Sequence, residues 1–102
     1  LPLKVTHRLE DAMREADVLY VTRIQKERFG DRIGDYESAR GRYVITRESM
    51  KLMKPDSILM HPLPRVDEIS PDVDADPRAA YFRQAQNGLF VRMAVLKMLL
   101  IG

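Results

Sequence analysis

The sequence predicts an α/β fold in which a parallel sheet is flanked by helices. Two observations lead to this class. Short apolar runs alternate with segments of helical period, in the order strand, helix, strand, helix, strand, helix. The run at residues 17–22 is rich in β-branched and aromatic residues and indicates a strand buried on both faces, as in a parallel sheet.

The first half of the chain supplies three of these elements. Residues 3–5 can form a short strand, and Thr6 can cap a helix over residues 7–16. That helix is predicted because three apolar side chains share one face: Leu9, Met13 and Ala16. The strand at 17–22 follows, and then a polar segment begins at Arg23.

The second half starts with a glycine-rich loop at 30–42, and long loops of this kind are often functional. We expect a strand at 42–45, a short helix capped by Thr46, and a further strand at 57–61. Residues 62–80 are predicted to be loop. A long helix should run from 79 to 100, with an apolar stripe of four residues: Leu89, Met93, Leu96 and Leu100.

Composition restricts the class of protein. The chain has 102 residues, of which 45% are hydrophobic and 31% charged, as in globular domains rather than disordered chains. The net charge is only +2 and the charges are interleaved, so a nucleic-acid-binding module is not favoured. No cysteine is present, which excludes disulfides and thiolate metal sites. No apolar run reaches the roughly 18 residues of a membrane span.

Polar or rigid segments follow directly on two predicted strands. Arg23 and Gln25 come after the strand at 17–22, and Pro62, Leu63 and Pro64 come after the strand at 57–61. In parallel sheets ligands bind beyond the carboxyl ends of the strands, so both segments are candidates for a binding site. An arginine fork and a glutamine amide suit a carboxylate ligand, although a solvated loop has the same composition.

The prolines allow two interpretations. Proline cannot donate to a sheet and keeps its predecessor extended, so Pro62 and Pro64 end the strand. The rigid turn can either bind a ligand through backbone carbonyls or simply stop the strand, and the Leu63–Pro64 bond can be cis. His61 fits a hydrogen-bonded strand-end histidine better than a catalytic one.

Metal sites are not predicted. Only two histidines, His7 and His61, are available for zinc. Asp72, Asp74 and Asp76 have the spacing that begins a calcium loop, but proline and arginine replace the glycine and glutamate required later in that loop.

Three blocks resemble the second half of aspartate carbamoyltransferase. They are YVTRIQKERF at 20–29, MHPLPRVDEI at 60–69 and YFRQAQNGLFVRMAVL at 81–96, in the family's order and spacing. TRIQKERF and DPRAAYFRQA are most similar to the version in the multifunctional eukaryotic pyrimidine-pathway protein. The resemblance implies the Rossmann-like, aspartate-binding domain of the carbamoyltransferase fold, incomplete at its N-terminus, over residues 1–80. Residues 81–102 would form the helix that returns toward the carbamoyl-phosphate domain.

The resemblance also implies a reaction and roles for individual residues. Carbamoyl phosphate and L-aspartate would give N-carbamoyl-L-aspartate and phosphate, with no metal or organic cofactor. Arg23 would grip an aspartate carboxylate with help from Gln25, and the carbonyls of Leu63 and Pro64, joined by a cis bond, would face the reacting groups. Arg28 would join ion pairs that hold two domains closed, under a mobile loop at 29–42. The family implies a cytoplasmic homotrimer with shared active sites, in some organisms fused or bound to other pyrimidine-pathway or regulatory subunits.

The family's phosphate-binding Ser-Thr-Arg-Thr motif, its catalytic histidine and the lysine from a neighbouring subunit do not occur in this sequence. We therefore expect a part of a longer protein that is inactive alone and has no catalytic residue of its own. Two alternatives stay open. The first is ornithine carbamoyltransferase, whose turn commonly reads His-Cys-Leu-Pro, with a cysteine where this sequence has Pro62. The second is a degenerate or regulatory homologue that keeps the fold without activity.

Overall fold

The computed structural model of the chain describes residues 2–23 and 43–102. Within these ranges lie two α-helices, α1 (Leu9–Glu15) and α2 (Tyr81–Leu100), and two strands, β1 (Val18–Tyr20) and β2 (Ile58–Met60). Two 3₁₀ helices complete the set: Ser49–Leu52 lies between β1 and β2 in sequence, and Pro71–Ala75 lies between β2 and α2. The α/β class with a parallel sheet is confirmed.

β1 and β2 are adjacent and parallel, with Tyr20 opposite Met60. Just past this pair, the Val21 N–H donates to the Met60 carbonyl at 2.9 Å. On its other side Leu59 of β2 exchanges two 2.8 Å backbone hydrogen bonds with the segment around Ala79. β2 is therefore paired along both edges, which explains why Leu59 has no exposed surface.

The core lies where α1, the two 3₁₀ helices and β2 meet. β1 adds only the partly buried Leu19 at its border, and the buried members are mostly aliphatic side chains and methionines: Met13, Ile45, Met50, Met53, Leu59, Ile69, Val73, Ala79 and Tyr81. Three methionines can fill such an irregular junction because their side chains are unbranched and flexible. Burial of this cluster positions the polar segments that follow β1 and β2.

Four local predictions were wrong. Residues 3–5 form no strand. Of the predicted strand at 42–45 the structure describes residues 43–45, and among these only Ile45 pairs, through an isolated bridge to Ile69. The predicted helix after Thr46 is a single 3₁₀ turn whose N-cap is Glu48 rather than Thr46, although Thr46 Oγ1 does accept the Ser49 N–H at 3.2 Å. The predicted loop at 62–80 contains the second 3₁₀ helix. The secondary structure of these short segments depends on packing against distant parts of the chain, and the local sequence pattern does not show that packing.

β1 is not buried on both faces, contrary to expectation, since Val18 and Tyr20 are 53% and 52% exposed. Among the described residues β1 pairs only with β2, so its other edge and part of its surface stay open. The long helix is confirmed as α2, yet its apolar stripe is also exposed, and Tyr81 is its one buried residue. In the described part of the chain, no helix is long and apolar enough to cross a membrane.

Candidate functional site at the carboxyl ends of the strands

The two candidate segments leave the sheet at the same edge. β1 and β2 run parallel with Tyr20 opposite Met60, so Arg23 and Leu63 each stand three residues beyond a paired position. Sequence reasoning placed both segments at this edge, and the register confirms that β1 and β2 end there together. The carboxyl edge of a parallel sheet is where α/β proteins bind ligands.

Arg23 is exposed and therefore accessible from solvent. Gln25, Arg28 and the predicted loop at 29–42 lie outside the described residues. The described half of this candidate site thus consists of one arginine and the turn after β2.

The turn after β2 has the backbone that the resemblance implied. The Leu63–Pro64 peptide bond is cis, and Leu63 has a positive φ of 50°. Leu63 is half-buried against the core, whereas Pro62 and Pro64 are exposed. The rigid turn therefore presents its backbone at the same edge as Arg23.

His61, at the start of this turn, is 1% exposed, and both of its ring nitrogens are hydrogen-bonded. Nδ1 accepts the Leu63 N–H at 2.8 Å, and Nε2 lies 2.7 Å from Glu68 Oε1. An Nδ1 that accepts carries no proton, so Nε2 carries it and donates to the carboxylate. This is the hydrogen-bonded strand-end histidine that the sequence predicted, and neither nitrogen is open to a substrate.

Glu68 is a buried carboxylate at 8% exposure, and sequence reasoning gave it no role. Besides His61, it accepts the Val66 N–H with both oxygens at 3.2 Å. Burial acts to raise its pKa, but hydrogen bonds from the Glu68 and Val66 N–H groups and from His61 outweigh burial and lower the pKa. Glu68 is therefore ionised at neutral pH and holds the far end of the turn.

A second polar cluster ties the turn to the start of α2. Arg65 forms a two-point ion pair with Asp74, through Nη2–Oδ2 at 2.7 Å and through Nη1–Oδ1. The Tyr81 hydroxyl donates to the same Asp74 oxygen and accepts from Arg65 Nη1 at 3.3 Å. The Arg65 hydrogen bond lowers the pKa of Asp74, while burial and then Asp74 raise the pKa of Tyr81 to about 12.

Two of the three aspartates that imitate a calcium loop are ion-pair partners. Asp74 binds Arg65, and Asp76 binds Arg78 through two bonds of 3.0 and 2.8 Å. Arg78 also donates to the Met53 carbonyl at 3.0 Å, before β2 begins. Among residues 2–23 and 43–102, no three carboxylates or histidines converge as metal ligands. The two pairs brace opposite ends of β2.

Comparison with known proteins shows where this architecture occurs. The family described as "Aspartate/ornithine carbamoyltransferase, Asp/Orn binding domain" matches residues 2–99. The chain belongs to this family. Its fold is that of a partial carbamoyltransferase domain. A crystal structure of aspartate transcarbamoylase from Trypanosoma cruzi, in complex with carbamoyl phosphate and aspartate, is 49% identical with a TM-score of 0.80, covering 89% of this chain and 30% of that one.

Curated members of the carbamoyltransferase family agree. The chloroplastic aspartate carbamoyltransferase of Arabidopsis thaliana is 60% identical over 92% of this chain and 24% of its own length. Multifunctional protein CAD of Squalus acanthias is 56% identical over 86% of this chain and 4% of its own length. The identity of 56% to multifunctional protein CAD confirms the expected likeness to the multifunctional version, and the plant relative is similar to a comparable degree at 60%. The chain spans about a quarter of the plant relative.

Sequence reasoning missed the contacts that organise this carbamoyltransferase turn. Glu68 lies seven residues from His61, and Gln84, on α2, accepts the His61 N–H at 3.0 Å and donates to the Tyr20 hydroxyl at 3.1 Å. These partners are 7, 23 and 64 residues apart in sequence. The one local signal was a charged residue, Glu68, directly before the apolar Ile69.

Proposed function

We propose that this chain is the aspartate-binding part of an aspartate carbamoyltransferase. The longer protein would convert carbamoyl phosphate and L-aspartate to N-carbamoyl-L-aspartate and phosphate, in pyrimidine synthesis. The observation that carries the proposal is the meeting of Arg23 and the Leu63–Pro64 turn at one edge of a parallel sheet. Support comes from the Trypanosoma cruzi enzyme, whose complex with carbamoyl phosphate and aspartate shares this fold.

Each residue has a chemical role in the proposal. The Arg23 guanidinium binds a carboxylate of aspartate, since its planar fork matches two carboxylate oxygens, and Gln25 adds hydrogen bonds. The carbonyls of Leu63 and Pro64 accept hydrogen bonds from the aspartate amine and the carbamoyl group. These contacts hold the amine nitrogen against the carbamoyl carbon, so the gain is in positioning and electrostatics rather than covalent catalysis.

The rest of the proposal concerns the whole protein. Residues 1–80 form the substrate-binding unit and residues 81–102 return toward a carbamoyl-phosphate domain, to which the exposed apolar stripe of α2 would pack. Arg28 joins ion pairs that close the two domains. The active protein is a cytoplasmic homotrimer without cofactor, free or fused to other pathway enzymes as in multifunctional protein CAD. The plant relative is chloroplastic, so cell fractionation tests the location.

The test is a carbamoyl-transfer assay with L-aspartate and with L-ornithine, on the full-length protein and on residues 1–102. The full-length protein should act on aspartate, and the shorter chain on neither substrate. Transfer to ornithine would instead favour ornithine carbamoyltransferase, and no transfer by the full-length protein would favour a non-catalytic homologue. Turnover by residues 1–102 alone would contradict the proposed need for residues outside this chain.

Arg23 provides the residue-level test. Arg23→Ala should lower kcat/KM for aspartate by roughly 30-fold or more, because a charged partner of the substrate is lost. Arg23→Lys should recover little of that activity, since lysine lacks the two-point fork. Arg47→Ala is the matched control, because Arg47 is also exposed but lies at the 3₁₀ helix rather than at the strand ends. An equal loss of kcat/KM in Arg47→Ala would contradict the assignment of Arg23 as an aspartate-binding residue.

A further inference from the structure

The backbone between His61 and Val66 is held from the inside by two side chains. The His61 ring accepts the Leu63 N–H at 2.8 Å, and the Glu68 carboxylate accepts the Val66 N–H with both oxygens at 3.2 Å. His61 Nε2 and Glu68 Oε1, 2.7 Å apart, connect the two anchors. The result is a closed set of hydrogen bonds under the turn, with Leu63 and Pro64 between its two ends.

This set fixes which ring nitrogen of His61 carries the proton. Nδ1 must be unprotonated to accept from Leu63, and Nε2 must be protonated to donate to Glu68. The ionised Glu68 carboxylate accepts from both His61 and Val66. His61 and Glu68 are 1% and 8% exposed, so water cannot readily replace a lost partner.

We propose that His61 and Glu68 are positioning residues, which set the direction of the Leu63 and Pro64 carbonyls without touching substrate. The inference rests on the proposed function, since it assigns the two carbonyls to the reacting groups. Reaction rates are sensitive to such placement: an error of about 1 Å can cost roughly 100-fold in rate. Two buried side chains behind the turn thereby control chemistry at its surface.

The inference predicts a particular order among variants at His61 in the full-length protein. Asn can keep an acceptor near the position of Nδ1, whereas Leu keeps no polar atom. His61→Asn should therefore retain more turnover per site than His61→Leu, although both lose the bond to Glu68. Glu68→Gln should lower kcat by roughly 10 to 100-fold, because a neutral amide accepts less strongly and presents its NH₂ to one of two donors.

Binding of succinate separates positioning from loss of folded protein. Succinate has the two carboxylates of aspartate but no amine, so it reports the grip of Arg23 and not the contacts of the turn carbonyls. Calorimetric titration with succinate, in the presence of carbamoyl phosphate, also counts folded sites. All three variants should bind succinate within about threefold of wild type. Their kcat per site should fall, by roughly 10 to 100-fold for Glu68→Gln and in the order given above for the two His61 variants.

The matched control is Arg78→Met, which breaks the Asp76–Arg78 pair at the other end of β2. It should reduce the number of sites or their thermal stability and leave kcat per site unchanged. Nuclear magnetic resonance of the His61 ring nitrogens in wild type should show the proton on Nε2.

Three results would overturn the inference: wild-type kcat per site in Glu68→Gln, equal kcat for His61→Asn and His61→Leu, or a proton on Nδ1. Failure of wild-type full-length protein to carbamoylate aspartate would instead overturn the proposed function. The two failures are distinguished because only the second removes the activity of the wild-type protein toward aspartate.

Discussion

Asp74→Asn tests whether the second polar cluster holds the start of α2 in place. Asp74 accepts from Arg65 with two oxygens and from the buried Tyr81 hydroxyl, and Tyr81 is the first residue of α2. Asparagine keeps one acceptor oxygen but presents an NH₂ to the arginine, so one charge-assisted bond and the net attraction are lost. The start of α2 should then open more often.

The expected magnitude follows from the burial of the pair. Exposed ion pairs contribute about 0–1 kcal/mol, and breaking a buried pair costs about 3–5 kcal/mol. The Arg65 and Asp74 side chains are 19% and 31% exposed, so this pair lies between the two limits. We expect Asp74→Asn to cost about 2 kcal/mol, close to the loss of one hydrogen bond to a charged group.

Amide hydrogen exchange in the full-length protein measures this cost locally. The Gln84 N–H, bonded to the Ala80 carbonyl at 2.8 Å, belongs to the first turn of α2. A loss of about 2 kcal/mol in opening free energy means exchange about 30-fold faster. Asp72→Asn is the matched control, because it removes the same charge from an exposed position of the same 3₁₀ helix. An Asp74→Asn effect no larger than that of the control would refute the reasoning.

Two further predictions concern alkaline pH and the core. Folding raises the pKa of Tyr81 to about 12, whereas unfolded tyrosine titrates near 10, so the folded state retains the proton. Its stabilisation is complete below about pH 10 and declines as the pH rises toward about 12, and urea unfolding at several pH values should show a flatter decline for Tyr81→Phe. Leu59→Ala should cost about 2–5 kcal/mol, because Leu59 is fully buried at the centre of the pairing around β2. Leu59→Ile, measured in the same unfolding experiment, should cost less than about 1.5 kcal/mol, and equal losses would show that burial is not the cause.

The strongly patterned elements could be predicted from sequence. The predicted strands at 17–22 and 57–61 contain β1 and β2, and the predicted helix at 79–100 corresponds to α2. These segments succeed because apolar period and residue type agree over many positions. The turn at Leu63–Pro64 was also predictable, since proline restricts its own backbone and that of its predecessor.

Short segments could not be predicted in this way. Ile45 pairs with Ile69, and Ala79 pairs with Leu59, although neither lies in a run with strand character. Each gains its backbone partner only when the chain folds back on itself, and a window of neighbouring residues contains no record of that partner. The same reason explains why the expected burial of β1 on both faces was wrong: its residue types are those of a buried strand, but they do not show which segments pack against it.

The sequence by itself determined the α/β class and the placement of Arg23 and the proline turn at the ends of strands, because these depend on local period and local backbone chemistry. It also indicated the family, because three blocks resemble that family in order and spacing. Only the tertiary structure decided that His61 and Glu68 share a proton-ordered pair beneath the turn, and that Arg65, Asp74 and Tyr81 join the turn to α2. Buried polar groups must find partners, and those partners come from whichever distant segment the packing brings within hydrogen-bond distance.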